Sequence, residues 1–168
     1  MVILARLDTE QTCDEPREQH HHMAVLREHI ETTLGIDAAF AFVADFANAE
    51  QWDPGVASSV RLDDGQVRVG ARYRLGVRMG GRVARMEYEI IRLEAPNRVV
   101  LAGRGSGVHA VDDISFTATP SGTRIDYVAD IRLHGLLRLL APFAGGAFRR
   151  IAENARNGMQ RTLDELAA

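Results

Sequence analysis

Lysine is absent from this chain of 168 residues, so all 20 of its basic side chains are arginine. A phosphate-binding P-loop and a Schiff-base enzyme both need a lysine, and both are therefore excluded. Cysteine is nearly absent too. Cys13 is the only one, which rules out an internal disulfide framework and fits a reducing compartment. The heavy use of arginine, alanine and glycine suggests a GC-rich bacterial genome.

Long hydrophobic runs are missing as well. Arg138 and Pro142 interrupt the most apolar part of the chain, and no stretch approaches the roughly 18 to 20 apolar residues of a membrane span. The apolar start, residues 1–5, is too short for the central region of a secretory signal. We therefore expect a soluble cytoplasmic protein with no integral membrane segment. Its 46% hydrophobic content is enough to form the core of one domain.

Common catalytic motifs are also lacking. The sequence has no G-x-S-x-G nucleophile elbow and no H-E-x-x-H metal motif, so we assign no catalytic residue and expect no metal site and no cofactor. The glycine-rich residues 103–107 precede a predicted strand, which indicates a hairpin turn and not a phosphate loop. The arginines between residues 61 and 104 could attract phosphate or anionic lipid. Because they alternate with apolar residues, as on the solvated face of a sheet, we expect no nucleic-acid partner.

The chain divides into a leader and one domain. Residues 1–22 show no sustained period, are polar after Leu7 and hold an excess of acidic side chains. We predict a poorly ordered leader there and a single domain over residues 23–168. Three adjacent histidines, residues 20–22, could bind a metal, but in such a leader we expect no site.

Alternation of polar and apolar residues dominates the first two thirds of the domain. Residues 24–34 alternate and predict a first strand, which two short helical segments follow, over 38–44 and 48–52. Asp37 is placed to cap the first of these helices. From residue 56 onward the period is again two, and the connections are short turns of Gly, Pro, Asn and Asp, so neighbouring strands should be antiparallel. The predicted strands are 56–62, 71–79, 82–94, 98–103, 108–119 and 123–133.

The end of the chain has the pattern of an amphipathic helix. Apolar residues recur at steps of three and four from residue 136 to residue 166. Pro142 is well placed at a first helical position, so the main helix should start near it and leave residues 136–140 as a separate apolar flap. Gly145 and Gly146 weaken the next turn. We predict a mobile lid over 135–147 and a rigid helix from 148 onward.

Three segments carry a resemblance to a known family. They are residues 38–43 leading into Gln51-Trp52-Asp53-Pro54, the segment Leu93-Glu94-Ala95-Pro96-Asn97-Arg98, and the segment Gly122-Thr123-Arg124-Ile125-Asp126-Tyr127 before the final helix. With this order of elements, residues 24–166 resemble the START-like helix-grip superfamily, the SRPBCC or polyketide cyclase, dehydrase and lipid transport group. The resemblance implies an α+β fold. A curved antiparallel sheet of about seven strands would wrap around a long C-terminal helix and enclose an apolar cavity, with two short helices between the first and second strands.

Residues predicted to point inward supply a candidate ligand site. Each could be ordinary core, but the set includes three tyrosines, whose hydroxyls need partners, and is therefore more polar than a packing core requires. An inward Asp112 near Arg104 could bind a ligand, form a structural pair or lie at a solvated rim. His109 and Asp113 should face outward. The predicted lining is Trp52, Tyr73, Leu75, Met86, Tyr88, Arg104, Asp112, Phe116, Tyr127, Ile131, Phe148, Ile151 and Met159.

Two functions fit this site. The first is binding or carriage of a small hydrophobic ligand, such as a lipid or polyketide-like metabolite. The alternative is a polyketide cyclase, aromatase or dehydratase, which would need the Tyr, Arg and Asp side chains to converge on one point of the cavity. A third possibility, an interaction module, rests on the resemblance and on the arginine-rich outer face. We expect a monomer or a homodimer.

Overall fold

The computed structural model describes residues 24–79, 81–135 and 141–168, and in the last of these ranges the side chains of 141–145, 147 and 148 are not described. The predicted leader, residues 1–22, and the predicted flap, residues 136–140, lie outside the described residues. Both therefore stay predictions, as does the mobile lid that includes the flap.

One antiparallel sheet forms most of the domain. Its spatial order is β1-β7-β6-β5-β4-β3-β2, so consecutive strands from β2 to β7 pair with one another and β1 pairs with β7. From β3 to β7 only two or three residues separate one strand from the next, and every pair in the sheet is antiparallel, which confirms the prediction. The strands are β1 (Ala24–Thr32), β2 (Val56–Arg61), β3 (Arg72–Met79), β4 (Arg82–Glu94), β5 (Arg98–Gly105), β6 (Val108–Thr119) and β7 (Gly122–Leu133).

Short helical segments join β1 to β2. They are α1 (Ile36–Ala44), a 3-10 turn (Phe46–Asn48) and α2 (Ala49–Trp52). The Asp45 side chain caps the 3-10 turn, since its Oδ1 accepts a hydrogen bond from the Ala47 amide at 3.2 Å. The prediction that Asp37 caps α1 is wrong. The N-cap is Gly35, and Asp37 lies in the first turn, where its charge still favours the helix dipole.

Alternating side chains give the sheet a buried face and a solvated face. Tyr73, Leu75, Met86 and Ile90 are buried on the inner face, and Ile125 lies with them. The outer face carries pairs of opposite charge. The predicted outward direction of Asp113 is confirmed, because its carboxylate binds Arg98 across the strands at 2.9 and 2.6 Å. Exposed ion pairs of this kind add little to the stability of the fold. The many arginines of the strands therefore belong to a solvated sheet face.

Strand β5 corrects one predicted site residue. Gly103 lies opposite the inward Tyr88, whereas Arg104 lies opposite Glu87 and His109 and is exposed on the outer face. Arg104 therefore does not line the interior and does not approach Asp112. The strand has apolar residues on both faces at its centre, Val99 to Leu101, so its alternation could not fix the direction of Arg104.

The terminal helix α3 (Ala141–Leu166) lies along β1 and α2. Gln160 Nε2 donates a hydrogen bond to the Glu31 carbonyl at 2.6 Å, and Thr162 Oγ1 donates to the Gln51 carbonyl at 3.0 Å. The prediction of a long helix that starts near Pro142 is confirmed. Among the described helices, none combines the length and hydropathy that a membrane crossing requires.

Candidate functional site

A cavity of about 170 Å³ lies between the inner face of the sheet and α3. For comparison, an apolar cavity of roughly 150 Å³ in another protein holds benzene. The lining is mostly apolar and comes from every strand but β5, from the segment before β2, and from α3. Its hydrophobic members are Leu26, Ile30, Phe46, Ala49, Trp52, Val56, Leu75, Val77, Met79, Met86, Val108, Ala110, Ala129, Ile131, Leu133, Ile151, Ala152, Ala155 and Met159.

Aromatic rings form one wall of the cavity. The 3-10 turn supplies Phe46 and α2 supplies Trp52, whose ring centroids lie 6.0 Å apart in an edge-to-face arrangement. The Phe46 ring also packs 5.5 Å from Tyr88, and the Trp52 ring packs 6.2 Å from Tyr127. Pairs of this geometry add attraction beyond their buried area, and together they form an aromatic surface against which a flat ligand can pack.

A polar cluster interrupts the apolar lining. Asp112 of β6, Tyr88 of β4 and Tyr127 of β7 line the cavity together, and both tyrosines influence the Asp112 carboxyl. Gly103 of β5 makes room for this arrangement, because a Cβ at that position would lie 2.5 Å from Cε1 of the Tyr88 ring. The ring can therefore lie over β5 and direct its hydroxyl toward β6. We call Asp112, Tyr88 and Tyr127 the acid cluster.

Burial controls the charge of the acid cluster. Asp112 is 4% exposed, and this burial raises the pKa of its carboxyl to about 7. The charge of Asp53 raises it further, while the hydrogen bonds from Tyr127 and Tyr88 oppose the rise. Burial also raises the pKa of both tyrosines well above the usual range. No basic side chain of the described residues pairs with Asp112, so close to neutral pH the carboxyl is partly protonated.

Charged residues elsewhere on the lining already have partners. Glu28 of β1 and Arg156 of α3 form an ion pair at 3.5 Å, with 22% and 46% of their side chains exposed, so this side of the cavity meets solvent. Arg78 donates hydrogen bonds to the Val56 carbonyl at 2.6 Å and the Pro54 carbonyl at 3.2 Å. Burial raises the pKa of Asp53, and the Gly55 amide and Arg78 oppose the rise.

The structure brings together nine of the thirteen predicted site residues. They are Trp52, Leu75, Met86, Tyr88, Asp112, Tyr127, Ile131, Ile151 and Met159. The Phe148 side chain lies outside the described residues, so its place in the site stays a prediction. Three predictions are wrong, those for Arg104, Tyr73 and Phe116. Arg104 points away from the interior, as β5 shows.

Tyr73 and Phe116 are buried but belong to a different part of the core. Phe116 packs edge-to-face on Phe40 of α1 with ring centroids 5.3 Å apart. Tyr73 lies near the 3-10 turn, where burial and then the charge of Asp45 raise its pKa to about 12. Alternation correctly assigned both side chains to the inner face. It could not show that α1 and the 3-10 turn, and not the cavity, cover these positions.

Several lining residues were missed. Phe46, Asp53 and Gly55 lie in turns, where no period shows the direction of a side chain. Ala110 and Ala129 have the same inward parity as Asp112 and Tyr127, but the predicted lining did not include them. Because their side chains are small, the space in front of them stays open. An inward alanine among larger inward residues is therefore the sequence signal that indicates a cavity-lining position.

The model of the family described as "Polyketide cyclase / dehydrase and lipid transport" matches residues 23–168. The chain belongs to this family. The resemblance that the sequence showed is therefore confirmed. None of the curated proteins matches the sequence.

Solved structures of other proteins show the same fold. The Zhui aromatase/cyclase from a Streptomyces species has a TM-score of 0.69 at 12% identity, over 83% of this chain and 93% of that one. A START superfamily protein from Mycobacterium smegmatis has a TM-score of 0.66 at 14% identity, over 84% and 98%. A protein from Thermus thermophilus has a TM-score of 0.65 at 16% identity, over 83% and 95%. These likenesses confirm the predicted helix-grip fold.

Proposed function

We propose that this family member binds a small hydrophobic ligand in the cavity between the sheet and α3. The observation that carries the proposal is an apolar cavity of about 170 Å³ whose lining contains one buried polar cluster. Ligand sites are mostly apolar with a few polar groups that fix the orientation of the ligand. The family description, which names lipid transport, supports the same class of function.

The size of the cavity limits what it holds in this form. Sites for drug-sized ligands measure about 300 to 1,000 Å³, so 170 Å³ fits one substituted aromatic ring or a short apolar chain. A larger lipid or polyketide-like metabolite would place only one end inside. Mass spectrometry of an organic extract of the purified protein tests for a bound apolar ligand directly.

Ala155→Trp should weaken ligand binding strongly. Ala155 lines the cavity from α3, and an indole side chain there would fill much of the 170 Å³. We expect the affinity for para-fluorotoluene, measured by fluorine NMR, to fall by about tenfold or more, because the ligand loses its space and its packing contacts.

Glu153→Trp is the matched control for this prediction. Glu153 is an exposed residue two positions earlier on α3 and does not line the cavity. The same large side chain there should leave the affinity within about twofold of the wild type. Equal binding by the wild type and Ala155→Trp would mean that the ligand does not occupy this cavity.

A second candidate function is that of a polyketide cyclase, aromatase or dehydratase. The acid cluster favours it, because a carboxyl with a pKa of about 7 can both donate and accept a proton near neutral pH. Asp112 would transfer the proton and the two tyrosines would orient a substrate carbonyl, without Arg104. Incubation with a linear poly-β-ketone thioester, followed by mass spectrometry for loss of water, tests this function. Turnover that survives Asp112→Asn would exclude proton transfer by Asp112.

A further inference from the structure

The charges that line the cavity do not balance. Glu28 and Arg156 neutralise each other as an ion pair at 3.5 Å. Asp53 lies near Arg78, whose positive charge opposes the rise in the pKa of that carboxyl. Asp112 is the fifth charged residue of the lining, and no basic side chain of the described residues acts on it. With all five groups ionised, the lining therefore carries one uncompensated negative charge.

The uncompensated carboxylate is shielded from solvent. Asp112 is 4% exposed, and the residues opposite it on β5 and β7 are Leu101 and Ala129, which carry no charge. Water screens an exposed charge, but a buried charge acts on its surroundings through a much lower effective dielectric constant. Burial of a charge without a partner is costly, which is why the pKa of this carboxyl rises to about 7. A positive group inside the cavity would offset that cost.

Aromatic rings line the same space. Phe46, Trp52, Tyr88 and Tyr127 all border the cavity, with ring centroids 5.5 Å apart for Phe46 and Tyr88 and 6.2 Å apart for Trp52 and Tyr127. The faces of such rings attract cations, and cages of aromatic side chains recognise ammonium groups in ligands. A buried carboxylate among aromatic rings therefore offers a cation two attractions, whereas a ligand carboxylate would be repelled by Asp112.

We propose that the cavity binds small apolar amines in their protonated form, with the ammonium group beside the Asp112 carboxylate and the apolar body against the aromatic wall. This inference rests on the proposed binding function and names the class of ligand. The volume of about 170 Å³ suits a molecule with one aromatic ring and a short aminoalkyl group. A neutral ligand of the same shape gains the packing contacts but not the attraction between charges.

Binding of such an amine is coupled to the ionisation of Asp112. The ammonium group favours the carboxylate over the neutral acid, so its binding releases the proton that Asp112 holds below about pH 7. Affinity for the amine should therefore rise with pH, whereas affinity for a neutral ligand should not. The other ionisable groups of the lining are Glu28 of β1, Asp53 between α2 and β2, Arg78 of β3, Tyr88 of β4, Tyr127 of β7 and Arg156 of α3. Burial also raises the pKa of Asp53, so a variant has to separate its contribution from that of Asp112.

The test compares two ligands that differ in charge. Para-fluorobenzylamine and para-fluorobenzyl alcohol have nearly the same shape, but the first ends in an ammonium group and the second in a hydroxyl group. Fluorine NMR titrations of the full-length protein give both affinities between about pH 5 and pH 8, where an alkyl ammonium stays protonated. The amine-to-alcohol ratio of the affinities should rise by about tenfold or more from pH 5 to pH 8, as Asp112 ionises.

Asp112→Asn tests the residue itself. The amide has the shape of the carboxyl group but does not ionise, so the amine-to-alcohol ratio should become low and independent of pH. Asp113→Asn is the matched control on the outer face of the same strand. Asp113 pairs with Arg98 away from the cavity, so this variant should keep the pH dependence of the wild type.

Three outcomes contradict the inference in different ways. A ratio that stays the same at every pH in the wild type would overturn it and leave the proposed binding function standing. A ratio that rises with pH equally in Asp112→Asn would also overturn it, because another group would then hold the cation. Absence of binding by both probes and by para-fluorotoluene would overturn the proposed function together with the inference.

Discussion

Replacement of Asp112 with asparagine is expected to stabilise the folded protein by about 4 kcal/mol at about pH 8 and by little at about pH 4. The reason is the buried carboxyl group. It ionises with a pKa of about 7 in the folded protein and near 3.8 in the unfolded chain. A rise of this size corresponds to about 4 kcal/mol of lost stability once the pH is above both values.

The sign follows from the protons bound by each state. Between about pH 4 and pH 7 the folded protein keeps the Asp112 proton that the unfolded chain has released, so stability falls as the pH rises. Below about pH 4 both states are protonated and the penalty is absent. Asparagine keeps an acceptor and donors for the two tyrosines but does not ionise, so the variant lacks this loss.

Urea unfolding at several pH values between about 4 and 8 measures the effect. Burial also raises the pKa of Asp53, which gives both proteins a slope of the same sign, so the difference between them is the quantity to compare. Asp113→Asn is the control on the same strand. It removes the outer pair with Arg98 and should cost at most about 1 kcal/mol. A difference between Asp112→Asn and the wild type that does not change with pH would contradict the buried ionisation.

The fold could be predicted from the sequence because its elements have regular periods. Strand β7 alternates from Ile125 to Leu133 with one exception, the outward Val128, and its observed start differs by one residue from the prediction. Strand β5 was less accurate and extends to Gly105, two residues beyond the predicted end. Gly103 and Gly105 suggested a turn at this place. The backbone of β5 nevertheless pairs with β6 through both glycines, and Gly105 lies opposite Val108.

The site could be predicted only in part, because a period shows the face of a sheet and not what covers it. Tyr73 and Phe116 are inward, as expected, yet α1 and the 3-10 turn cover them. The acid cluster depends on Gly103, a residue without a side chain that lets Tyr88 reach across β5. No pattern of apolar residues contains that information, since it arises from the contact between two strands.

A second glycine brings α3 close to α2. An added Cβ at Gly158 would fall inside the contact distance of the Trp52 carbonyl oxygen and 3.0 Å from Cδ of Pro54. Trp52 forms part of the aromatic wall, so this contact fixes the distance between the helix and one side of the cavity. The obstacle is backbone and cannot rotate away, which makes this position more sensitive than one that faces a flexible side chain.

Gly158→Ala should therefore destabilise the protein by about 2 kcal/mol. Overpacking against a fixed backbone costs about 3 kcal/mol, and the better helix propensity of alanine returns up to about 1 kcal/mol. Gly146→Ala is the matched control, because Gly146 is an exposed glycine of the same helix with nothing within 4 Å of an added Cβ. That variant should gain up to about 1 kcal/mol. Urea unfolding of both proteins measures the two effects. A Gly158→Ala variant as stable as Gly146→Ala would contradict the close packing of α3 on α2. It would then also contradict the width of the cavity between the helix and its aromatic wall.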